Sequence, residues 1–294
     1  MPRKLTIAIA SGKGGTGKTT LSTSLAAILV ERGEDVVFLD CDVEEPDGHI
    51  FLKPQGIQSQ PVNVMIPRII PEKCNFCGAC GDACQFNALA VLADRVMVFP
   101  SLCHSCGACY HICPEKAIEE IPREIGTINY GNGQGVKFFE GRLNIGEALS
   151  PPVIKVLRSV PNGSRITIID APPGTSCPVI EAVRNTDFVV LVTEPTPFGL
   201  HDLKLAVEMV RAMNLPFGVV INRADMGDDR VEKYCKSERV DILLKIPFDR
   251  RLAEEYSEGS MTLISNPEYA GGLVTLMNDI KKRIEKNGTG DSQR

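Results

Sequence analysis

The sequence lacks an excess of positive charge, which is typical of nucleic-acid-binding proteins, and a long hydrophobic run, which is typical of membrane-spanning proteins. Its 294 residues carry a formal net charge of −5, so there is no basic field and we expect no nucleic-acid partner. No apolar run approaches the roughly 18–20 residues that cross a bilayer. The run at residues 5–10 is also too short for a signal-peptide core, so we expect a cytoplasmic protein without membrane contact.

Cysteine, by contrast, is abundant and concentrated in one part of the chain. Eight of the eleven cysteines lie between Cys74 and Cys113. In a reducing compartment, structural disulfides do not account for such a group. The concentration therefore predicts a local metal site.

Short apolar runs alternate with helical patterns over most of the chain. Strands are predicted at residues 5–10, 36–40, 165–170, 188–193, 217–222 and 242–246. Helices are predicted after the Gly-rich turn that follows the first strand, and at residues 200–213, 231–237, 250–257 and 268–286. This alternation predicts an α/β fold, with a mostly parallel sheet covered by helices on both faces.

The alternation is interrupted by a tandem repeat. The eleven-residue pattern that begins at Cys74 recurs 29 positions later at Cys103. Prolines precede the repeat, and a Gly/Asn-rich stretch at residues 126–135 follows it, as at the borders of an inserted unit. We predict a discontinuous domain of residues 1–60 and 126–287, an inserted small α+β domain at 61–125, and a disordered tail at 288–294.

Residues 12–19 form a nucleotide-binding motif. Their sequence matches G-x-x-x-x-G-K-S/T between a predicted strand and a predicted helix. The glycines let backbone N–H groups converge on phosphate oxygens, Lys18 reaches the β- and γ-phosphates, and Thr19 offers its hydroxyl to Mg²⁺. An incidental Gly-rich turn is the alternative. The residues predicted to contact ATP or ADP here are Gly12, Lys13, Gly14, Gly15, Thr16, Gly17, Lys18, Thr19 and Thr20.

The pair of lysines in this loop makes it similar to the deviant Walker A loop of the MinD/ParA/Mrp/nitrogenase-iron-protein group of P-loop ATPases. The resemblance implies a P-loop NTPase sheet and a dimer that sandwiches ATP. It also implies that Lys13 contacts phosphate across that dimer and, with Lys18, is catalytic. A spare surface lysine is the alternative for Lys13.

The same resemblance assigns roles to polar residues at predicted strand ends. Asp40 supports the Mg²⁺ shell, Asp42 orients the attacking water, and Asp170 is the Walker B acid that coordinates Mg²⁺ through water. Asn222 reads the adenine edge, and the loop at Pro247 packs on the ring. A single Asp or Asn at a strand end is also common as a helix cap or turn former.

Each half of the tandem repeat reads C-x₂-C-x₂-C-x₃-C, the spacing of bacterial two-cluster ferredoxins, in which the fourth Cys ligates the other cluster. The resemblance predicts a bacterial-ferredoxin-like insert with two 4Fe–4S clusters. Structural zinc is the alternative, although zinc prefers two separated ligand pairs. The first run ends Cys84-Gln85 and the second ends Cys113-Pro114, so the missing proline could alter how Cys84 is presented. The predicted ligand sets are Cys74, Cys77, Cys80 and Cys113 for one cluster and Cys103, Cys106, Cys109 and Cys84 for the other.

The remaining cysteines and two histidines have plainer interpretations. Cys177 lies at a place comparable to a cluster cysteine of the nitrogenase iron protein, but we favour a buried small residue. Cys41 and Cys235 are expected to be packing residues. His104 and His111 are expected to be solvated, or to donate to the cluster ligands.

The last predicted helix has one apolar side, formed by Leu273, Leu276, Met277, Ile280 and Ile284. A helix docked on the sheet is the favoured interpretation. Because MinD proteins use a C-terminal amphipathic helix at membranes, lipid contact is the alternative.

Together these features predict an ATP-binding and ATP-hydrolysing iron–sulfur protein, with slow or partner-stimulated turnover. The leading hypothesis is a nucleotide-gated dimer, either a homodimer or a heterodimer with a paralogue, that couples the state of ATP to electron transfer with an unidentified redox partner. A cluster carrier or scaffold of the Mrp kind and a spatial organiser of the MinD kind are the alternatives.

Overall fold

The computed structural model describes residues 4–160 and 163–290. Within these residues the strands are β1 (Leu5–Ser11), β2 (Val36–Asp40), β3 (Gln55–Ile69), β4 (Leu89–Val91), β5 (Val96–Val98), β6 (Ile118–Gly133), β7 (Val136–Leu143), β8 (Ile166–Pro173), β9 (Phe188–Thr193), β10 (Phe217–Asn222) and β11 (Ile242–Ile246).

The helices of the described chain accompany these strands. They are α1 (Lys18–Glu31), α2 (Gly48–Leu52), α3 (Ala79–Ala83), α4 (Ala108–Ile112), α5 (Pro151–Ser159), α6 (Cys177–Val183), α7 (Pro197–Ala212), α8 (Arg230–Ser237), α9 (Arg250–Ser257), α10 (Thr262–Ser265) and α11 (Pro267–Gly290).

Nine of the described strands form one mixed sheet in the order β11-β10-β9-β1-β8-β2-β7-β6-β3. From β11 to β7 every neighbouring pair is parallel, whereas β6 is antiparallel to both β7 and β3. The mostly parallel α/β sheet predicted from the sequence is therefore confirmed.

Both faces of the parallel strands are buried, which explains their continuous apolar runs. In β1, Ile7 and Ile9 belong to one core with α1 and α11, while Ala8 and Ala10 belong to the core on the other face with α5, α6 and α7. The apolar side of α11 is buried in the first of these cores, so the predicted docking of this helix on the sheet is confirmed.

The two long antiparallel strands β3 and β6 form an arm on the edge of the sheet. The arm carries a small unit, residues 70–117, that contains α3, α4 and the two-stranded sheet β4–β5. We call this unit the cysteine module. The predicted insert borders, 61 and 125, fall inside β3 and β6, so the main sheet continues into the predicted insert.

Several elements differ from the sequence-based expectations. Strands β3, β6 and β7 and helices α5 and α6 were not predicted. Helix α11 ends at Gly290 and so includes the first residues of the predicted disordered tail, while residues 291–294 lie outside the described residues. Among the described residues, no helix is both long and apolar enough to span a membrane.

Candidate nucleotide site and cysteine module

The phosphate-binding loop connects β1 to α1 and is shaped by its glycines. Gly15 and Gly17 have φ angles of 75° and 90°, which side chains other than glycine rarely adopt. A Cβ on Gly12 would collide with the backbone carbonyl of Asp202. Lys18 is the first residue of α1 and is 6% exposed. The loop thus presents backbone N–H groups at a helix start, which suits a phosphate group.

The loop is fastened from β10 by Asn222. Its amide Nδ2 donates to the carbonyl oxygen of Thr16 at 2.9 Å, and a Cβ on Gly17 would lie 2.6 Å from the same nitrogen. In the structure, therefore, this amide supports the phosphate-binding loop directly. Its predicted role in reading adenine stays a prediction.

The three predicted carboxylates lie together at the carboxyl ends of β2 and β8. Asp40 and Asp170 are register partners in the parallel pairing of these strands, and both are at most 1% exposed. Asp40 accepts hydrogen bonds from the backbone N–H groups of Gly48 at 2.8 Å and of Asp42 at 3.2 Å. Asp170 Oδ1 is buried, and no described residue donates to it.

Burial raises the pKa values of all three carboxylates, and the charge of Asp170 adds to the rise at Asp40 and Asp42. Burial, followed by the charge of Asp170, raises the pKa of Asp40 well above its usual range. Burial also raises the pKa of Asp170, against the opposing effects of Lys18 and of hydrogen bonds from Thr19 and Ser22. Burial raises the pKa of Asp42 to about 6, with Lys18 again opposing it. A site with this excess of buried negative charge, and an oxygen without a donor, fits a divalent cation.

A cleft of about 340 Å³ opens beside the loop. It is lined by predicted nucleotide contacts together with residues that the sequence analysis did not single out. The former are Gly15, Gly17, Thr20, Asn222 and Pro247, and the latter include Arg223, Phe248, Asp249 and Leu263. The polar edge and the half-exposed Phe248 ring are what a nucleoside requires: hydrogen-bonding groups and an apolar surface.

Lys13 takes part in an ion-pair network that the motif does not predict. Its Nζ lies 3.3 Å from Glu194 Oε2, and Arg223 Nη1 lies 2.7 Å from Glu194 Oε1. Glu194 follows β9 and is 7% exposed. No sequence spacing links residues 13, 194 and 223, because only the fold brings the ends of β1, β9 and β10 together.

The cysteine module gathers its eight repeat cysteines around two cavities. One has about 350 Å³ of empty space and lies at the end of the arm, against the last register pair, Ile69 and Ile118. We call it the outer site; its cysteines are Cys74, Cys77, Cys80 and Cys113.

The second cavity, with about 380 Å³ of empty space, lies beside Met65, Pro67 and Glu120 of the arm, closer to the main sheet. We call it the inner site; its cysteines are Cys84, Cys103, Cys106 and Cys109. The structure therefore brings together each of the two sets of four cysteines that the ferredoxin spacing predicts.

The donor set and its surroundings fit an iron–sulfur cluster. Each cavity has four thiols, and the backbone N–H groups of Ala88 and Ala117 each lie 3.3 Å from the Sγ atoms of Cys84 and Cys113. Burial raises the pKa of Cys109 to about 11, so a coordinated metal is needed to keep that sulfur ionised. The thiols surround a space: among the described residues, no three His, Cys, Asp or Glu side chains could together hold a single metal ion.

The missing proline after Cys84 does not change how the loop presents that thiol. The backbone at Cys84 has φ −81° and ψ 100°, and at Cys113 it has φ −68° and ψ 112°. The N–H to Sγ contacts of the two residues also match. Cys84 and Cys113, the fourth cysteines of the two runs, therefore have similar backbone conformations and similar sulfur contacts. The concern that Gln85 alters the loop is not borne out by the backbone.

The expected burial or exposure is confirmed for some of the isolated cysteines and histidines and is wrong for one of them. Cys41 and Cys235 are fully buried and His104 and His111 are exposed, as expected. The expectation that Cys177 is buried is wrong, because it is exposed as the first residue of α6, directly after the loop that follows β8. Its neighbours Ser176 and Pro178 start the helix at the surface and leave this side chain uncovered.

The fold and the loop together define a P-loop nucleotide-binding protein that carries a cysteine-rich module. Residues 7–263 match the CobQ/CobB/MinD/ParA nucleotide-binding domain family, and the chain belongs to this family.

Curated relatives and solved structures extend the match along the chain. An uncharacterized protein of Methanocaldococcus jannaschii is 32% identical over 283 residues, covering 95% of this chain and 97% of that protein. An iron-sulfur cluster carrier protein of Aquifex aeolicus is 27% identical over 298 residues, covering 95% of this chain and 68% of that protein. The septum site-determining protein MinD of Pyrococcus horikoshii, complexed with Mg-ADP, matches the fold with a TM-score of 0.57 and 22% identity, covering 96% of this chain and 97% of that one.

Proposed function

We propose that this protein binds and hydrolyses ATP as a dimer and couples its nucleotide state to electron transfer through two 4Fe–4S clusters in the cysteine module. The observation that carries the proposal is the arm: one pair of strands belongs both to the nucleotide-binding sheet and to the walls of the two cysteine-lined cavities. Strands β3 and β6 therefore connect the nucleotide-binding sheet directly to the two cysteine sites.

Membership of the MinD/ParA nucleotide-binding family supports the ATP half of the proposal, and the P. horikoshii MinD structure holds Mg-ADP. In this chain Lys18 and the loop N–H groups bind the β- and γ-phosphates, and Asp42 orients the attacking water. Lys13 of each protomer contacts phosphate in the other. Thr19, Asp40 and Asp170 would hold Mg²⁺, directly or through water, and the ion would supply positive charge to the phosphates.

The cysteine module supports the redox half. The eight thiols hold the clusters, which supply one-electron chemistry when bound. An electron that enters the module from a low-potential one-electron donor protein leaves to a one-electron acceptor protein, so the module returns to its starting state. The small residues Gly78 and Gly107, with φ 87° and 73°, let each loop curl around its cavity.

A continuous set of contacts supports coupling between the two halves. Across the sheet, Asp40 of β2 is the register partner of Glu140 of β7, which in turn is the partner of Asn129 of β6. Glu140 is 5% exposed; its Oε1 accepts a hydrogen bond from Asn129 at 2.9 Å, and its Oε2 lies 3.1 Å from His49 Nδ1. Since His49 follows Gly48, whose backbone N–H donates to Asp40, a change at the nucleotide site can reach the arm through this series of neighbouring groups.

The first test is composition and turnover of the protein purified without oxygen. We expect about eight irons and about eight sulfides per chain, as two 4Fe–4S clusters require, little zinc, and ATP hydrolysis that is lost in Lys18→Ala. EPR-monitored reduction with and without MgATP then tests coupling. Zinc in place of iron, or cluster potentials that are unmoved by MgATP and by its non-hydrolysable analogues, would overturn the proposal.

A second function, delivery of clusters to other proteins, is favoured by the 27% identical iron-sulfur cluster carrier protein of A. aeolicus and by the exposed Cys177. Here the cargo would be held between two copies of Cys177 at a dimer interface. Incubation with an apo-ferredoxin under reducing conditions tests this function. Transfer that is lost in Cys177→Ser but kept in the buried-cysteine control Cys235→Ser would support it, and no transfer would exclude it.

A further inference from the structure

The two cysteine sites are near copies of each other in backbone. Phe76 and Ser105, at equivalent places in the repeat, both have positive φ angles of 58° and 55°, and each is followed by a glycine with positive φ two residues later. Two such sites, taken alone, have no reason to respond differently to a distant nucleotide. The difference between them arises from what surrounds them.

The inner site is anchored to the arm by packing. Cys103 is 8% exposed and lies in the same hydrophobic core as Val64 and Ile66 of β3, with Cys84 packed against that core. Among the described residues that line the outer site, the arm contributes its final register pair, Ile69 and Ile118. Met65, beside the inner site, is four residues nearer the main sheet than Ile69, or about 13 Å along an extended strand.

The inner site is also anchored by a hydrogen bond that has no equivalent at the outer site. Ser105, between ligands Cys103 and Cys106, accepts a hydrogen bond from the backbone N–H of Met65 at 2.9 Å. Strand β3 is the edge of the sheet, so this N–H has no neighbouring strand to pair with. The equivalent residue in the outer site is Phe76, whose side chain has no oxygen to accept such a bond.

The surroundings of the two sites differ at a second pair of equivalent positions. In the outer site, Asn75 Nδ2 donates to Glu115 Oε1 at 3.1 Å, within the module itself. In the inner site the same two places hold His104 and Phe86, whose rings stack with centroids 3.8 Å apart. The outer site's polar contacts thus stay within the module, whereas the inner site is tied to the sheet.

From these contacts we infer that the inner site is the nucleotide-responsive one, with Ser105 as a positioning residue that ties its loop to β3. The outer site relays electrons without responding to nucleotide. The inference rests on the proposed coupling function. Because cluster potentials depend on hydrogen bonding and solvent exposure around the sulfurs, a shift of β3 alters the inner site first.

Matched ligand variants separate the two sites. Cys77→Ala and Cys106→Ala remove the second, exposed cysteine of each run, and each variant keeps four ligands at the other site. Potentials are measured by EPR-monitored titration of the anaerobically purified full chain, with and without a non-hydrolysable MgATP analogue. We expect the nucleotide-induced shift to persist in Cys77→Ala and to be lost in Cys106→Ala. The reverse pattern, with a normal shift in wild type, would overturn the inference but leave the proposed function standing.

A second pair of variants keeps all eight cysteines. Ser105→Ala removes the acceptor of the Met65 N–H, and Asn75→Ala breaks a comparable contact within the outer site. Both variants should hold two clusters by iron analysis. We expect the nucleotide-induced shift of the inner potential to shrink in Ser105→Ala, to be rescued in Ser105→Thr, and to be unchanged in Asn75→Ala. Equal shifts in all three would overturn the role of Ser105, whereas no shift even in wild type would count against the proposed function itself.

Discussion

Asp40 and Asp170 lie opposite each other in the parallel pairing of β2 and β8, both are buried, and the charge of Asp170 helps to raise the pKa of Asp40. The two differ in their partners. Asp40 uses its oxygens to hold the backbone of residues 42 and 48, while Asp170 keeps one oxygen without a donor among the described residues. One carboxylate therefore shapes the loop, and the other is available to the cation and its water.

Asp170→Asn tests this division. We expect MgATP hydrolysis to fall about 10–100-fold, as when outer contacts of a metal are removed. Without nucleotide the variant should be no less stable than wild type, because burial disfavours the charge of Asp170 in the fold. Steady-state phosphate release and denaturant unfolding measure the two effects. A variant that is inactive because it is unfolded would contradict the prediction.

The raised pKa of Asp42, about 6, makes stability depend on pH. Because the folded-state pKa lies above the unfolded value of about 3.9, the folded protein binds more protons between these two pH values, and this carboxylate's contribution to stability falls as pH rises through that window. We therefore expect nucleotide-free Asp42→Asn to be more stable than wild type at pH 8, by at most about 3 kcal/mol.

The same measurement at lower pH provides the control for Asp42. The stability difference between Asp42→Asn and wild type should be nearly constant above about pH 7 and should shrink as pH falls from about 7 to about 4. A difference that is constant from about pH 7 to about pH 4 would show that the amide acts through packing and not through charge.

Asn222→Ala distinguishes support of the phosphate loop from recognition of the base. Loss of the amide leaves the buried Thr16 carbonyl without its donor, at a cost of about 1–2 kcal/mol, or roughly a 5–30-fold loss of affinity. If the amide mainly supports the loop, ATP, GTP and inorganic tripolyphosphate all bind more weakly by a similar factor. A loss confined to ATP in calorimetric titrations would instead indicate adenine recognition.

Glu194→Gln tests whether the ion pair restrains Lys13. Removing the carboxylate frees Lys13 and Arg223, so we expect the ATP-bound protein to dimerise at a several-fold lower concentration in sedimentation experiments. The matched control is Glu181→Gln, which breaks the ion pair between Glu181 of α6 and Arg184, the residue that follows this helix. Unchanged dimerisation in Glu194→Gln, or the same change in both variants, would rule out this restraint.

The sequence predicts correctly those elements whose structure depends on residues close together in the chain. Parallel strands buried on both faces appear as unbroken apolar runs, and the phosphate loop and the cysteine runs depend on spacing within about ten residues. The arm was missed because the first seven residues of β3 are exposed and because Pro61, Pro67 and Pro122 argue against central strands. Strand β3 tolerates its prolines since it lies at the edge of the sheet.

Long-range contacts account for the other surprises. The pairing of Lys13 with Glu194 and the bond between Asn222 and Thr16 each join residues about two hundred positions apart, and no periodicity encodes them. The inner and outer sites have nearly identical motifs, so only the fold distinguishes the one beside Met65 from the one at the end of the arm.

The coupling of nucleotide state to redox state is the central claim, and linkage provides its most direct test. If ATP shifts the potential of a cluster, reduction must shift the affinity for ATP by the same factor. The measurement is the dissociation constant of a non-hydrolysable MgATP analogue for the oxidised and for the dithionite-reduced protein, both without oxygen. The account predicts two different constants whose ratio matches the potential shift; identical constants in a protein with both clusters intact would contradict it.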